Sequence, residues 1–223
     1  MTPSVAMDKE GSQMKVEVWF DFVCPFCYMG KRHLELAQAQ LPEDWEIQVK
    51  YRSFELDPDA ARSHRTIHEV LAQKYGMTIE EAQTMNRQVA ERASEVGLVY
   101  RFDTMIPTNT FDAHRLAQFA KTQGKMAEVS ERLFRAYFTD SLDIGDRATL
   151  VRLAGEVGLS EMDAAAALHS GAYGPEVRAD EQEAAELGID GVPFFVINEK
   201  YGMSGAQPVA TFQAALRRIA AEI

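Results

Sequence analysis

Val18–Ala37, "VWFDFVCPFCYMGKRHLELA", holds both cysteines of the 223-residue chain, Cys24 and Cys27, with Pro25 and Phe26 between them. The stretch changes character at Cys24. Upstream, β-branched and aromatic residues from Met14 to Val23 predict a strand, with Val16, Val18 and Phe20 on one face. Downstream the pattern is helical. Pro25 falls in the first turn, where a missing N–H is tolerated. Leu34, Leu36 and Ala37 supply an apolar face, and Pro42 stops the helix. "WEIQVKYRSFEL" (45–56) alternates Ile47, Val49 and Tyr51 and predicts a second strand. A β-α-β order of this kind joins parallel strands through a helical crossover.

The position of the thiols carries chemistry. A cysteine at a helix start meets unsatisfied main-chain N–H groups and the positive end of the macrodipole, which favours thiolate over thiol at Cys24. Cys27, three residues on, shares the same helical turn and is placed to attack a mixed disulfide formed on Cys24. A disulfide between them closes so small a loop that it adds little stability through chain entropy. A redox pair fits better than a structural staple. The other reading is half of a zinc site. Zinc usually takes four ligands, no second CxxC occurs, and the histidines (33, 64, 68, 114 and 169) include only one close pair, His64 and His68.

From about 58 to 188 the chain reads as helical. Thr78 and Glu81 form a capping box, T-x-x-E, and Gly97 suits a helix end. "NTFDAHRLAQFAKTQG" opens at a capping Asn or Thr and closes on Gly124. "KMAEVSERLFRAYFTD" spaces Met126, Val129, Leu133, Phe134 and Tyr137 as one helical face. The acidic "RADEQEAAE" reads as a solvated helix face. The pattern then returns to strand. "GIDGVPFFVIN" is glycine-punctuated and continuously apolar from Phe194 to Ile197, as in a strand covered on both faces. "EKYGMSG" turns into an edge strand. "QPVATFQAALRRIAAEI" is an amphipathic last helix with Phe212, Leu216 and Ile219 inward. The segmentation expected is an α/β domain made of 14–57 and 189–223, a helical insertion over 58–188, and a flexible N-terminal tail over 1–13.

Composition narrows the partners. The formal net charge is −11, which argues against nucleic acid or an anionic membrane surface. No apolar run is long enough to span a bilayer, and "MTPSVAMDKEGSQMK" lacks the h-region of a secretory signal. A cytoplasmic location is expected, where a close cysteine pair is more often catalytic or metal-binding than structural.

"FDFVCPFC" after a strand, the helical insertion, "GVPFFVIN" and "YGMSGAQP" before the last helix together resemble the DsbA-like branch of the thioredoxin superfamily, in particular its FrnE-like dithiol oxidoreductases and isomerases. The resemblance runs from about Lys15 to Ile219. It implies a thioredoxin-like fold with a large inserted all-helical domain, Cys24 as exposed nucleophile, Cys27 as buried resolving thiol, and a cis Val192–Pro193 bond beside them that offers main chain to an extended substrate. Pro25 and Phe26 join Val192 and Pro193 as expected substrate contacts. The partners implied are disulfide-containing proteins or peptides and a thiol reductant, glutathione or a thioredoxin system; the cycle requires no metal or organic cofactor. Familiar DsbA proteins carry histidine where this chain has Phe26, which cannot hydrogen-bond a thiolate, so a reductase or isomerase is expected rather than a dedicated oxidant. Phe26 suits a surface apolar residue and a substrate rim equally. Asp21 reads as a turn or cap residue that could assist proton transfer, and His114 as a packing residue, although "NTFDAHRL" is similar to a segment of kappa glutathione transferases and hydroxychromene-carboxylate isomerases. The alternatives are a glutathione-dependent transferase or isomerase of that kappa-like branch, and a non-enzymatic peptide-binding chaperone.

Overall fold

The computed structural model describes residues 13–61, 63 and 65–222. The N-terminal tail expected over 1–13 lies outside the described residues apart from Gln13, which opens the first strand, and His64 lies outside them as well.

The first strand, β1 (Gln13–Phe20), leads into α1 (Pro25–Gln38) and back to β2 (Glu46–Ser53). β1 and β2 pair in parallel, with Val18 opposite Tyr51. The chain returns to the sheet with β3 (Phe194–Ile197) and β4 (Tyr201–Ser204) and ends in α9 (Val209–Ala220). β3 runs antiparallel to β1, and β4 antiparallel to β3, so the four strands lie in the order β2-β1-β3-β4. Between β2 and β3 come α2 (Ile67–Tyr75), α3 (Ile79–Ser94), α4 (Phe111–Thr122), α5 (Met126–Phe138), α6 (Arg147–Glu156), α7 (Glu161–His169) and α8 (Gly174–Glu186). This is an α/β thioredoxin-like frame interrupted by a block of helices.

Strand periodicity divides the core. Val16, Val18 and Phe20 of β1 share one cluster with Phe195 and Ile197 of β3, Leu34 and Ala37 of α1, and Phe212 and Leu216 of α9. Trp19 points the other way, onto Ala184 of α8 and Ile189. The apolar run of β3 is buried on one face only, at Phe195 and Ile197; Phe194 and Val196 are partly exposed. The apolar stripe of α1 also differs from expectation. Leu36 is exposed, and Tyr28, Met29, Gly30 and Lys31 are buried instead: Tyr28 and Lys31 meet Glu131 of α5, and Gly30 faces Pro193 and Phe195.

The helical caps follow their side chains. Thr66 and Thr78 both close capping boxes, with Glu69 and Glu81. Asn109, not Thr110, caps α4: its Oδ1 accepts from the Phe111 N–H at 2.9 Å.

The acidic helix α8 is not simply solvated. Asp180 is buried, and its carboxylate accepts from Arg52 Nη1 at 2.7 Å, the Ser53 main-chain N–H at 2.9 Å and Gln118 Nε2 at 2.6 Å. Its carbonyl accepts from Trp19 Nε1 at 2.9 Å. Glu17 and Glu183 complete the set around Arg52. A helix that must cover a sheet ending in an arginine buries the acid that neutralises it, since an unpaired buried charge is far costlier than a paired one. Removing one partner strands the other. Asp180→Ala should therefore lower unfolding stability by about 3–5 kcal/mol, read from urea denaturation. Asp180→Asn keeps an acceptor for the Ser53 N–H and should cost less.

Candidate active site

The turn between β1 and α1 is tied to itself through Asp21. The Cys24 N–H donates to the Asp21 carbonyl at 3.1 Å, and the Asp21 N–H points at Cys27 Sγ at 3.5 Å. Cys24 is the N-cap of α1 and Pro25 takes the first helical position, as proline can where its absent N–H has no partner to lose. Both cysteines are reduced.

The cysteines and the "GVP" segment, distant in sequence, meet here. The Val192–Pro193 bond is cis, and the Cys24 thiol donates to the Val192 carbonyl at 3.5 Å. Gly30 makes the approach possible. A Cβ on it would lie 3.1 Å from Pro193 Cγ and 3.3 Å from Phe195 Cζ, so a larger residue would force the loop to give by a few tenths of an ångström.

Exposure does not separate the two thiols as the resemblance implied. Cys24 is 4% exposed and Cys27 2%, because the Val192–Pro193 loop lies on Cys24 as closely as the core surrounds Cys27. Burial first, then the neighbouring Cys24 sulfur, push the Cys27 thiol well above its ordinary range; the Asp21 N–H acts against this, and the Asp21 carboxylate adds to it.

The helical block supplies the walls. The Tyr100 hydroxyl donates to the Pro25 carbonyl at 2.7 Å, and its ring stacks on Phe138 at 4.4 Å between centroids. Tyr28 stacks on Phe134 at 4.9 Å and donates to Glu131 at 2.7 Å. Glu131 also binds Lys31 and Arg32. Burial opposes its ionisation, but these cations and the Tyr28 hydroxyl hold its carboxyl below the usual range. Phe26 lies at the mouth, 37% exposed, with the Arg92 guanidinium 5.8 Å from its ring centroid. Sequence reasoning missed Tyr100, Glu131 and Arg92, whose sequence neighbourhoods carry no motif.

Two of the described histidines have partners other than the sulfurs and their turn. His33 Nδ1 meets the Gln207 carbonyl, and His68 lies between Asp103 and Asn86. Among the described residues no group of three or more His, Cys, Asp or Glu is arranged to hold a metal ion. No helix among them is long and apolar enough to cross a membrane.

The family model of the DSBA-like thioredoxin domain matches residues 15–217. A crystal structure of a probable DsbA oxidoreductase from Streptomyces coelicolor is 42% identical, with a TM-score of 0.87 over 92% of this chain and 89% of that one. An uncharacterized protein, YwbO of Bacillus subtilis, is 29% identical over 203 residues, or 90% of this chain and 94% of its own. The cytosolic disulfide reductase DsbM of Pseudomonas aeruginosa shares the fold at 16% identity, with a TM-score of 0.64 over 94% of this chain and all (100%) of DsbM.

Two outcomes follow from the geometry. Gly30→Ala should leave stability within about 1 kcal/mol, because the helix gains from alanine what the contact loses, but should displace the Pro193 loop. Insulin reduction should then slow severalfold at an almost unchanged urea midpoint. In iodoacetamide alkylation against pH, Cys27 should remain the slower thiol until well above the ordinary range near 8.5, with mass spectrometry of the labelled peptide identifying the site.

Proposed function

We propose thiol–disulfide exchange on protein or peptide disulfides as the function of this chain, which belongs to the family of DSBA-like thioredoxin domains. The observation that carries the reading is the Cys24 sulfur at the start of α1, held 3.5 Å from the Val192 carbonyl, with Cys27 one turn deeper. The Cys24 thiolate attacks one sulfur of a substrate disulfide. A Cys24–substrate disulfide forms and the other substrate sulfur leaves as a thiolate. Cys27, losing its proton, attacks Cys24 Sγ; the internal disulfide forms and the second substrate sulfur departs and takes up a proton. Two equivalents of a small thiol such as glutathione, or one dithiol of a thioredoxin system, return the pair to the reduced state and are themselves oxidised.

On this reading the Val192 main chain, Pro193, Pro25 and the exposed ring of Phe26 form the surface that receives an extended substrate segment. The preferred direction is reduction or isomerisation in the cytoplasm, consistent with the FrnE-like pattern "FDFVCPFC". Phe26 offers the Cys24 sulfur no hydrogen bond, so the reduced pair lacks the stabilisation that makes a strong oxidant. That the same fold serves a cytosolic disulfide reductase, DsbM, also solved with GSH, is compatible with this choice. The chaperone and kappa-like transferase readings give no role to Cys27, whose sulfur the chain nonetheless braces with the Asp21 N–H.

Trapping distinguishes these roles. With insulin as substrate, Cys27→Ser should accumulate a mixed disulfide on non-reducing gels. Cys24→Ser should form none and should abolish the acceleration of insulin reduction by glutathione. A Cys24→Ser variant that still traps insulin would reverse the assignment, and unchanged turnover in Cys27→Ser would favour the single-thiol, transferase-like chemistry.

A further inference from the structure

His114 sits on α4 in the helical block, is fully buried, and reaches into the β1–α1 turn. Its Nε2 meets Asp21 Oδ1 at 3.3 Å. Its ring packs between Phe20 and Phe22, with centroids 5.6 and 4.7 Å away. Nδ1 is buried with no partner. An imidazole nitrogen facing a carboxylate carries a proton, so Nε2–H donates to Asp21. Leaving a buried ring nitrogen unsatisfied is a cost that packing alone would remove by using leucine or phenylalanine here.

Asp21 is the residue that this donor holds. The carboxylate is 1% exposed, and its other oxygen accepts from the Leu56 N–H at 2.8 Å. Through its main chain the same residue touches both thiol positions, accepting from the Cys24 N–H and donating to Cys27 Sγ. The two actions on Cys27 oppose each other: the N–H favours a thiolate there, and the carboxylate charge disfavours it. The other ionisable groups felt at this place are Glu55, which lies within the electrostatic reach of His114, and Tyr137, which lies within that of Asp21.

We propose that His114 is a positioning residue for the resolving step: its Nε2–H fixes the Asp21 carboxylate and offsets its charge, so that the Cys27 thiolate forms beside a restrained anion rather than a bare one. The proposal rests on the exchange reading above and assigns to the helical block a part in its second half. The step is the attack of Cys27 Sγ on Cys24 Sγ. The sulfur–sulfur bond from Cys24 to the substrate breaks, its electron pair leaves on the substrate sulfur, and the proton given up by Cys27 ends on that departing thiol. His114 and Asp21 are unchanged across it. Their effect is on the free energy of the Cys27 thiolate, and not on the Cys24 attack that precedes it.

A chromogenic aryl disulfide, 5,5′-dithiobis(2-nitrobenzoate), separates the two halves in one trace. The chain has 2 cysteines. With one equivalent of reagent, Cys24 releases the first thionitrobenzoate on attack, and Cys27 releases the second on resolution. His114→Leu, which removes the donor, should slow the second phase about tenfold, as expected for a lost hydrogen bond to a buried charge, with the first phase unchanged. His114→Gln restores an N–H donor and should recover most of the rate. Asp21→Asn removes the charge itself and should accelerate the second phase, opposite in sign to His114→Leu. Equal slowing of both phases in His114→Leu, no change in either, or slowing of the second phase by Asp21→Asn would overturn the proposal; the Asp21 variant decides its sign even where the leucine variant does not fold. A wild-type trace with no second phase would instead overturn the exchange reading, and the role of His114 with it.

Discussion

The architecture of the site depends on one close approach, between helix α1 and the loop that carries Pro193. Gly30 leaves no Cβ at the contact, so the Pro193 ring and Phe195 rest against the helix itself. That contact brings the Val192 carbonyl onto the Cys24 sulfur across 168 residues of chain. Everything else in the frame serves to hold both sides of it. β1 and β3 are neighbours in the sheet, with Trp19 opposite Phe194, so the turn after β1 and the loop before β3 leave the same end of the sheet. α9 then packs behind α1 through Phe212 and Leu216 and keeps the helix pressed forward.

The helices between β2 and β3 meet this frame through a shared apolar core and through polar side chains at three places. Asp180 of α8 takes Arg52 and the Ser53 N–H from β2. Glu131 of α5 takes Lys31, Arg32 and the Tyr28 hydroxyl from α1. His114 of α4 takes Asp21. Apolar contact alone is nondirectional and would let the block slide on the sheet. A buried charge tolerates no such slip, because each lost partner leaves an ion in a low-dielectric interior. The polar joins therefore contribute register more than net stability, and the His114–Asp21 join sits beside the turn that carries the sulfurs.

These joins explain what could and could not be read from the sequence. Cys24 and Cys27 stand out because a strand pattern gives way to a helix pattern there, and both are local signals. Thr78 with Glu81, Pro208 with its following amphipathic turn, and the apolar run after Pro193 are local in the same sense. The cis bond and its place beside the thiols came from the resemblance of "GVPFFVIN", not from periodicity. What was illegible is pairing at a distance. "RADEQEAAE" has the composition of a wet helix face, and nothing within it tells that Asp180 meets an arginine 128 positions earlier. Leu36 looks inward by spacing, but the side of α1 that is covered was decided by where α5, α9 and the Pro193 loop lie. The near-equal burial of Cys24 and Cys27 depends on how tightly a remote loop closes, which Gly30 controls and no motif announces.

That equality changes how the division of labour between two thiols must be understood. If exposure distinguished them, any loop movement that uncovered Cys27 would confuse their roles. What raises the Cys27 thiol is burial first, then the Cys24 sulfur and the Asp21 carboxylate of the same turn. Cys24 has the helix start and the Val192 carbonyl 3.5 Å from its sulfur; Cys27 has burial, a neighbouring sulfur and the charge of Asp21, all of which oppose its thiolate, against a single N–H in its favour. A thiol so placed is a poor nucleophile toward solvent molecules and gains only when its target sulfur is already one turn away, since intramolecular attack replaces a bimolecular encounter. On the exchange reading proposed above, the burial that disfavours the Cys27 thiolate is what confines its reactivity to Cys24.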